Sequence, residues 1–213
     1  MARKKTRQPG RPAGRDPDSV RNALLDAARK FFTARDFSAV SVRQIAADAG
    51  VNAAMVNYYF QDKQGLYTAM ILETVAPLLA DLKALRDHGT EQPSLRGFIE
   101  RYIRLIADNA WLPNLIVREV LYGSSGFQET FLKTFARHMG QGLPVLVNNE
   151  CQAGDLRKDL NPQLAALSLI SMAAFPFVAK PVLESGLNLR MDAAFTETLV
   201  HHTIRLFYEG AKE

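Results

Sequence analysis

Residues 41–60, SVRQIAADAGVNAAMVNYYF, contain the pattern that decides the fold. Ser41 precedes a short segment whose apolar residues recur at helical spacing. Gly50 stands where a helix can stop in the left-handed conformation. Asn52 can then cap a second short helix that runs to about Tyr58. Two short helices joined by a tight turn that contains glycine are typical of a helix-turn-helix.

The second of these helices has the surface that the major groove of DNA requires. A recognition helix needs short or polar residues on its outward side. Here those positions are Asn52, Ala53, Ala54, Met55 and Asn57. The apolar residues Val51, Val56 and Phe60 are predicted to anchor the helix to the two helices before it. The spacing alone fits any small three-helix core as well, so both interpretations stay open at this point.

Helices are predicted on both sides of this segment. Apolar residues recur at helical spacing over residues 20–32, and Asp18 or Ser19 can cap that helix, which should end near residues 34–36. After the quoted segment, Asp62 can cap a fourth helix.

The fourth helix is predicted to be long, to reach about Arg86 and to kink at Pro77. A turn over residues 88–93 should follow it. Further helices are predicted over residues 94–109, 113–122, 128–153, 162–185 and 192–209. No β-branched alternation bounded by hairpin turns is visible. The sequence therefore predicts an all-α chain of about nine helices, with an N-terminal three-helix unit followed by a larger helical domain.

The charge of the chain is concentrated at its start. The 213 residues carry 26 Lys and Arg against 22 Asp and Glu, which gives a net charge of +4. Residues 1–15 contain six basic side chains and no acidic one. Residues 1–17 also hold three prolines and few large apolar side chains, so we expect a disordered basic arm. Such an arm fits a polyanion partner, although a solvated tail explains the charge equally well.

The sequence resembles the DNA-binding domain of the tetracycline-repressor (TetR) family over about residues 18–70. The matching residues are Phe31-Phe32, Ser41 to Ala46, Ala49-Gly50-Val51, Tyr58 to Lys63, and Leu66-Tyr67. The resemblance implies a dimeric transcription regulator, usually a repressor, that a small ligand in the C-terminal domain releases from operator DNA. It also implies three parts: the arm over residues 1–17, a DNA-binding domain over 18–65, and an effector-binding and dimerisation domain over 66–213.

The resemblance also assigns candidate DNA contacts. Ala53, Ala54 and Met55 fall where the family reads base edges. Ser41 and Arg43 begin the second helix, where amides and a cation can hold phosphate. The remaining candidates for base or phosphate contacts are Gln44, Asn52, Asn57, Tyr58, Tyr59 and Lys63. Asn57 stands where a Tyr is more common in the family, and Lys63 matches its phosphate-binding Lys. The basic arm could follow the minor groove or the backbone beside this helix.

The C-terminal part suggests a ligand pocket. Trp111, Leu115, Arg118 and Tyr122 fall on one helical face, a mixture of aromatic area and one cation that suits an aromatic or anionic effector. The residues expected to complete the pocket are Phe98, Tyr102, Phe131, Phe135, His138 and Phe175. Any single one of them is better explained as plain core, with Arg118 paired to Glu119 or to another helix, so the prediction of a pocket rests on the cluster.

The last two helices are predicted to form a homodimer. Residues 160–179 carry no charge, which fits the middle of a bundle or dimer better than a membrane span, because polar residues and prolines interrupt them. In the last helix, Phe195, Leu199, His202 and Leu206 recur at helical spacing. A dimer would place two recognition helices in successive major grooves of a palindromic operator, roughly 34 Å apart.

Other classes of protein are disfavoured by what the sequence lacks. The single cysteine, Cys151, cannot form an internal disulfide and suits a small buried position. No apolar run follows the basic start, so a cytoplasmic location is expected. The four histidines show no metal-site spacing, and no phosphate loop or catalytic triad is present, so we expect no metal, cofactor or enzymatic activity. Two alternatives remain: a regulator whose C-terminal domain senses a protein partner, and an architectural DNA-binding protein without a ligand.

Overall fold

The computed structural model describes residues 16–84, 93–122 and 126–210. These residues form helices and turns without a strand, which confirms the predicted all-α class. They separate into two compact units, the first ending at Met70 and the second beginning at Ile71, whereas the sequence analysis placed the boundary after residue 65. Three predicted features lie wholly or partly outside the described residues: the arm as far as residue 15, the end of the fourth helix at about Arg86, and the turn over residues 88–93 as far as residue 92.

Three helices and the beginning of a fourth make up the first unit. They are α1 (Pro17–Ala34), a 3-10 turn (Phe37–Ala39), α2 (Val42–Asp48), α3 (Ala54–Phe60) and the first residues of α4 (Lys63–Ala84). The core is made of apolar residues from all four helices: Val20, Leu24, Leu25, Phe32, Ile45, Val56, Phe60, Leu66 and Tyr67. The rings of Phe32 and Tyr67 meet edge to face, with centroids 4.8 Å apart. Of the three predicted anchors of α3, Val56 and Phe60 are buried and Val51 is half-buried.

The predicted cap of α1 is wrong. The helix begins at Pro17, with Asp16 at the N-cap position, and neither Asp18 nor Ser19 caps it. Proline is favoured at the first helical position because its missing N–H would have no partner there. The Ser19 hydroxyl instead donates a hydrogen bond to the Asp16 carbonyl oxygen at 2.8 Å.

The turn between α3 and α4 is tight. Gln61 adopts a φ of 71°, which is rare and strained for a residue with a side chain. Asp62 caps α4 as predicted, because its carboxylate accepts from the Gly65 amide at 2.7 Å. A Cβ atom on Gly65 would lie 1.9 Å from the Phe60 carbonyl oxygen, so the first turn of α4 passes Phe60 at a distance that only glycine permits.

The second unit consists of longer helices. After the rest of α4 come α5 (Leu95–Asp108), α6 (Trp111–Ile116), α7 (Gly126–Phe131), α8 (Arg137–Ala153), α9 (Pro162–Val178), α10 (Lys180–Gly186) and α11 (Ala193–Gly210). The apolar residues of α5 at helical spacing are all buried (Leu95, Phe98, Ile99, Tyr102, Ile103 and Ile106), and Ser94 caps the helix by accepting from the Gly97 amide at 3.1 Å. Cys151 of α8 is buried as expected, and burial, with Asp159 and Glu150 nearby, raises the pKa of its thiol.

Two π-helical turns modify the predicted pattern. The turn Val117–Leu121 follows α6, and the turn Leu132–Ala136 divides the predicted helix over residues 128–153 into α7 and α8. A π turn widens the i→i+4 repeat to i→i+5, so side chains after it move to a different face from the one that a regular helix predicts. α6 also begins at Trp111, two residues before the predicted start.

By length and composition α4 could span a membrane, and so could α9 and α10 together, although they are bent by 65°. In α4, however, the apolar side chains Leu66, Met70, Leu78 and Leu82 are buried inside the protein. A core helix passes the same test of length and hydropathy.

Candidate nucleic-acid interface and ligand cavity

The start of α2 is fixed by a reciprocal pair of hydrogen bonds. The Ser41 hydroxyl accepts from the Gln44 amide at 3.2 Å, and the Gln44 side-chain oxygen accepts from the Ser41 amide at 3.0 Å. This capping box satisfies two amides that a helix start leaves without partners. Both residues are exposed, so the Gln44 side-chain NH₂ group still faces solvent as a donor.

The turn between α2 and α3 matches the sequence prediction closely. Gly50 has a φ of 65°, which is the left-handed conformation expected there. The Asn52 side-chain oxygen accepts from the Ala54 amide at 2.8 Å, so Asn52 holds the beginning of α3. The helix begins at Ala54 and ends at Phe60.

One side of α3 is open to solvent and carries small and polar residues. Ala54, Asn57 and Tyr58 are exposed, and Tyr58 is the most open, with 76 % of its surface accessible. Ala53, Met55 and Tyr59 are half-buried, and the Tyr59 ring meets the Tyr58 ring edge to face at 4.9 Å. A helix with such a face can enter a major groove without steric conflict.

The cations near this helix differ in their surroundings. The Lys63 ammonium donates to the Phe37 and Val40 carbonyl oxygens, both at 2.6 Å, and lies 4.2 Å from the centre of the Phe37 ring. Its desolvation lowers its pKa. Lys63 thus ties the beginning of α4 to the segment before α2. Arg43, by contrast, is exposed and has no ion pair with any residue that the structure describes.

The second unit contains a cavity of about 560 Å³ bounded by α4 to α9 and both π turns. Its walls are aliphatic and aromatic, and none of the described residues that line it carries a charge. Only two lining side chains are polar, Tyr102 of α5 and Gln163 of α9. A cavity of this size and composition suits a small organic molecule.

Three of the ten residues proposed for the pocket line this cavity: Tyr102, Phe131 and Phe135. The fully buried Phe98 ring stacks against the Tyr102 ring at 6.1 Å but does not reach the cavity. The remaining residues do not line it: Trp111, Leu115, Arg118, Tyr122, His138 and Phe175.

These six residues lie elsewhere in the second unit. Leu115 is buried elsewhere, Tyr122 and Phe175 are 84 % and 63 % exposed, and Arg118 faces solvent. The His138 ring is hydrogen-bonded to the Thr134 carbonyl oxygen. The predicted face assumed 3.6 residues per turn through Tyr122, whereas the chain is π-helical from Val117.

Sequence reasoning missed most of the wall because its members carry no polar signal. They include Val75, Leu105, Ile116, Met139, Ile170 and Ala174. In a sequence such residues are indistinguishable from those of a filled core, and only the packing of helices distant in the chain leaves space beside them.

A second apolar feature is an open groove of about 540 Å³ on α9, α10 and α11. All four residues of the stripe predicted in the last helix line it: Phe195, Leu199, His202 and Leu206. Leu206 is 51 % exposed and Phe175 of α9, which also lines the groove, is 63 % exposed. Large apolar side chains this exposed mark a surface that another protein can cover.

No group of three or more His, Cys, Asp or Glu side chains within the described ranges could hold a metal ion.

Known proteins resemble the chain both in sequence and in fold. The family described as "Bacterial regulatory proteins, tetR family" matches residues 24–70, which include the capped helices α2 and α3. The HTH-type transcriptional regulator RutR of Escherichia coli K12 is 30 % identical over 194 residues, 90 % of each chain. BetI of Agrobacterium fabrum is 41 % identical over 63 residues, 30 % of this chain and 29 % of BetI.

A solved structure shares the fold at low sequence identity. The TetR-family regulator PfmR from Thermus thermophilus superimposes with a TM-score of 0.64 at 20 % identity, covering 89 % of this chain and 99 % of PfmR. The similarity to RutR extends over both units, and the family model matches the segment that contains the helix-turn-helix. The chain therefore belongs to the TetR family of bacterial regulators and is a DNA-binding regulator of transcription.

Proposed function

We propose that this regulator is a repressor that binds a palindromic operator as a homodimer and leaves it when a small molecule occupies the cavity of the second unit. The DNA-binding part of this proposal is supported by the exposed face of α3. This face carries mainly small and polar residues, and the helix before it, α2, is capped. Members of the family typically dimerise and bind small-molecule effectors.

The proposed DNA contacts divide into two groups. Ala53, Ala54 and Met55 touch base edges, where short apolar side chains can contact thymine methyl groups. Asn57 and Asn52 supply the polar contacts near them. The contacts that position the protein on phosphates come from Ser41, Arg43, Gln44, Tyr58, Tyr59 and Lys63.

Dimerisation is proposed to use the groove on α9, α10 and α11. Two copies that cover each other's exposed Phe175 and Leu206 would remove large apolar surface from water, which favours association. The twofold axis of such a dimer would match the symmetry of a palindromic site.

Release is proposed to work through α4. This helix begins at the DNA-binding unit with Lys63 and contributes Val75 and Leu78 to the wall of the cavity. A ligand can release DNA only if it binds the DNA-free conformation more tightly than the DNA-bound one. A shift of α4 on ligand binding would provide that difference.

The test is footprinting of the purified protein on the DNA that flanks its own gene, followed by gel-shift titrations of the protected sequence and a random duplex. We expect Asn57→Ala to lose the preference for the protected sequence, by about tenfold or more, because base contacts contribute about 1–3 kcal/mol. Asn148→Ala, an exposed asparagine of α8, is the matched control and should bind as the wild type does. Equal affinity of the wild type for both duplexes would favour the architectural alternative.

The other alternative concerns the second unit. If apolar compounds bind nowhere in it, a protein partner that covers the groove would be the regulating signal. The relatives are transcriptional regulators, and we propose neither enzymatic activity nor a cofactor for this chain. We also propose that it works in the cytoplasm, where the DNA is.

A further inference from the structure

We propose that the ligand of the cavity is an uncharged, mainly hydrocarbon molecule with one hydrogen-bond acceptor, and that the Tyr102 hydroxyl binds this acceptor. The inference rests on the proposed effector function and gives it a chemical class. It differs from the aromatic or anionic ligand that the sequence suggested, because the cation assigned to that ligand, Arg118, faces solvent outside the cavity.

The described residues that line the cavity offer no partner to a charged group of a ligand. The described lining residues include no Lys, Arg or His, and their polar members are the neutral side chains Tyr102 and Gln163. A carboxylate transferred from water into such a site would lose its hydration without gaining a partner, at a cost of several kcal/mol. A neutral molecule of the same shape avoids this cost.

Tyr102 is the one polar residue of the described wall that is buried. It is only 9 % exposed, and its hydroxyl makes no hydrogen bond with any described residue. The Phe98 ring stacks against the Tyr102 ring at 6.1 Å and so limits how the phenol can turn. Because Tyr102 lines the cavity and its hydroxyl has no hydrogen-bond partner among the described residues, the hydroxyl is available to bind an acceptor atom of a ligand there.

The Tyr102 hydroxyl is a donor under all ordinary conditions. Desolvation by burial raises its pKa, so the phenol keeps its proton well above neutral pH. A protonated phenol in an apolar wall donates to a carbonyl, ether or ester oxygen. Gln163, which is exposed and also lines the cavity, does not require a charged partner either.

Three compounds of nearly equal shape test the two parts of the proposal. They are 2-acetonaphthone, which has an acceptor, 2-ethylnaphthalene, which has none, and 2-naphthoic acid, which is an anion at neutral pH. Each competes with the fluorescent neutral probe N-phenyl-1-naphthylamine for the full-length protein. The variant is Tyr102→Phe. The matched control is Tyr208→Phe, which removes a partly buried hydroxyl of α11 outside the cavity.

For the hydroxyl, we expect Tyr102→Phe to weaken binding of the ketone about fivefold and to leave 2-ethylnaphthalene within about twofold, since one neutral hydrogen bond contributes about 1 kcal/mol. Tyr208→Phe should change neither affinity. A ketone affinity that Tyr102→Phe leaves unchanged would overturn the role of the hydroxyl.

For the charge, we expect the acid at pH 8 to bind at least about 100-fold more weakly than the ketone. Its affinity should rise about tenfold for each pH unit between about pH 8 and pH 6, because only the protonated fraction enters. The ketone, measured over the same range, controls for effects of pH on the protein. An acid that binds as tightly as the ketone, or independently of pH, would overturn the exclusion of charge.

The same compounds distinguish failure of the proposed ligand class from failure of the proposed release mechanism. If neither the probe nor any of the three compounds binds, the cavity holds no such ligand, and both proposals fail. If the compounds bind with the expected selectivity but the operator complex survives saturating ketone in a gel shift, the chemical class stands and the release mechanism fails.

Discussion

The two units hold their helices together in different ways. In the first unit, polar side chains bond to the backbone at the beginnings of the helices: Ser41 and Gln44 at α2, Asn52 at α3, Asp62 and Lys63 at α4. In the second unit, Ser94 and Asn161 cap α5 and α9 in a similar way, but the long helices leave both a cavity and an uncovered groove between their apolar faces. Short-range hydrogen bonds thus fix the exposed face of α3 in the first unit, whereas the second unit leaves apolar surface that other molecules can cover.

The largest expected effect concerns the uncovered groove. If a second copy covers it, Leu206→Asp should leave the chain monomeric at micromolar concentration and reduce operator affinity at least about 100-fold, because linked half-site contacts gain about 10²–10⁴ in avidity. Analytical ultracentrifugation and gel shifts measure the two quantities. Val145→Asp, at an α8 position that is 44 % exposed outside the groove, is the control and should remain dimeric. A Leu206→Asp dimer with normal affinity would show that the groove has another role.

The next effect tests the locally fixed geometry of the first unit. Gly65→Ala should lower the free energy of unfolding by about 1–3 kcal/mol, since the new Cβ would meet the Phe60 carbonyl oxygen at 1.9 Å and force α3 and α4 apart. Urea unfolding monitored by circular dichroism measures the loss. Gly186→Ala, where a Cβ meets nothing within 4 Å, should leave stability nearly unchanged. A Gly65→Ala protein as stable as the wild type would contradict the close approach.

The features of the first unit could largely be predicted from the sequence, whereas the cavity of the second unit could not. Gly50, Ser41, Asn52 and Asp62 act on residues two to four positions away, so their roles could be read from local spacing. The cap of α1 was the exception, because Pro17 at the first helical position outweighed the polar candidates after it.

The cavity could not be predicted in the same way. Its wall is assembled from helices that are far apart in the chain, from Val75 to Val178, and most of its residues are ordinary hydrophobes. The aromatic stripe ending at Tyr122 was misleading for two reasons: Trp111 and Leu115 lie on a face of the regular helix α6 that does not line the cavity, and periodicity at 3.6 residues per turn gives no warning of the π turn that begins at Val117. Arg118 consequently suggested an anionic ligand for a site that it does not line.

A smaller effect is expected from the basic arm. Deletion of residues 1–15 should lower operator affinity about tenfold at moderate salt with little change in sequence preference. The slope of log affinity against log salt should become shallower by about 0.9 for each phosphate that the arm neutralises. Fluorescence anisotropy over a range of salt concentrations measures the slope. An unchanged slope would mean that the arm is only a solvated tail.

The smallest effects compare the two cations of the first unit. Arg43→Ala and Lys63→Ala should each weaken binding to all sequences alike, by about threefold, and reduce the salt slope by about 1. Lys63→Ala should also lower the melting temperature, since the Phe37 and Val40 carbonyl oxygens lose their donor. If Lys63→Ala loses affinity with an unchanged salt slope, Lys63 holds the helices in place and does not neutralise a phosphate.

The burial of Cys151 has a practical consequence for experiments on this regulator. It is the only thiol in the chain, it is 7 % exposed, and its raised pKa keeps it protonated and slow to react. A cysteine introduced on the solvent side of α3 would therefore be modified selectively by maleimide dyes without removal of the native one. If the chain forms the proposed dimer, spectroscopic labels at this position can report the distance between the two copies of α3 on and off DNA in an otherwise natural sequence.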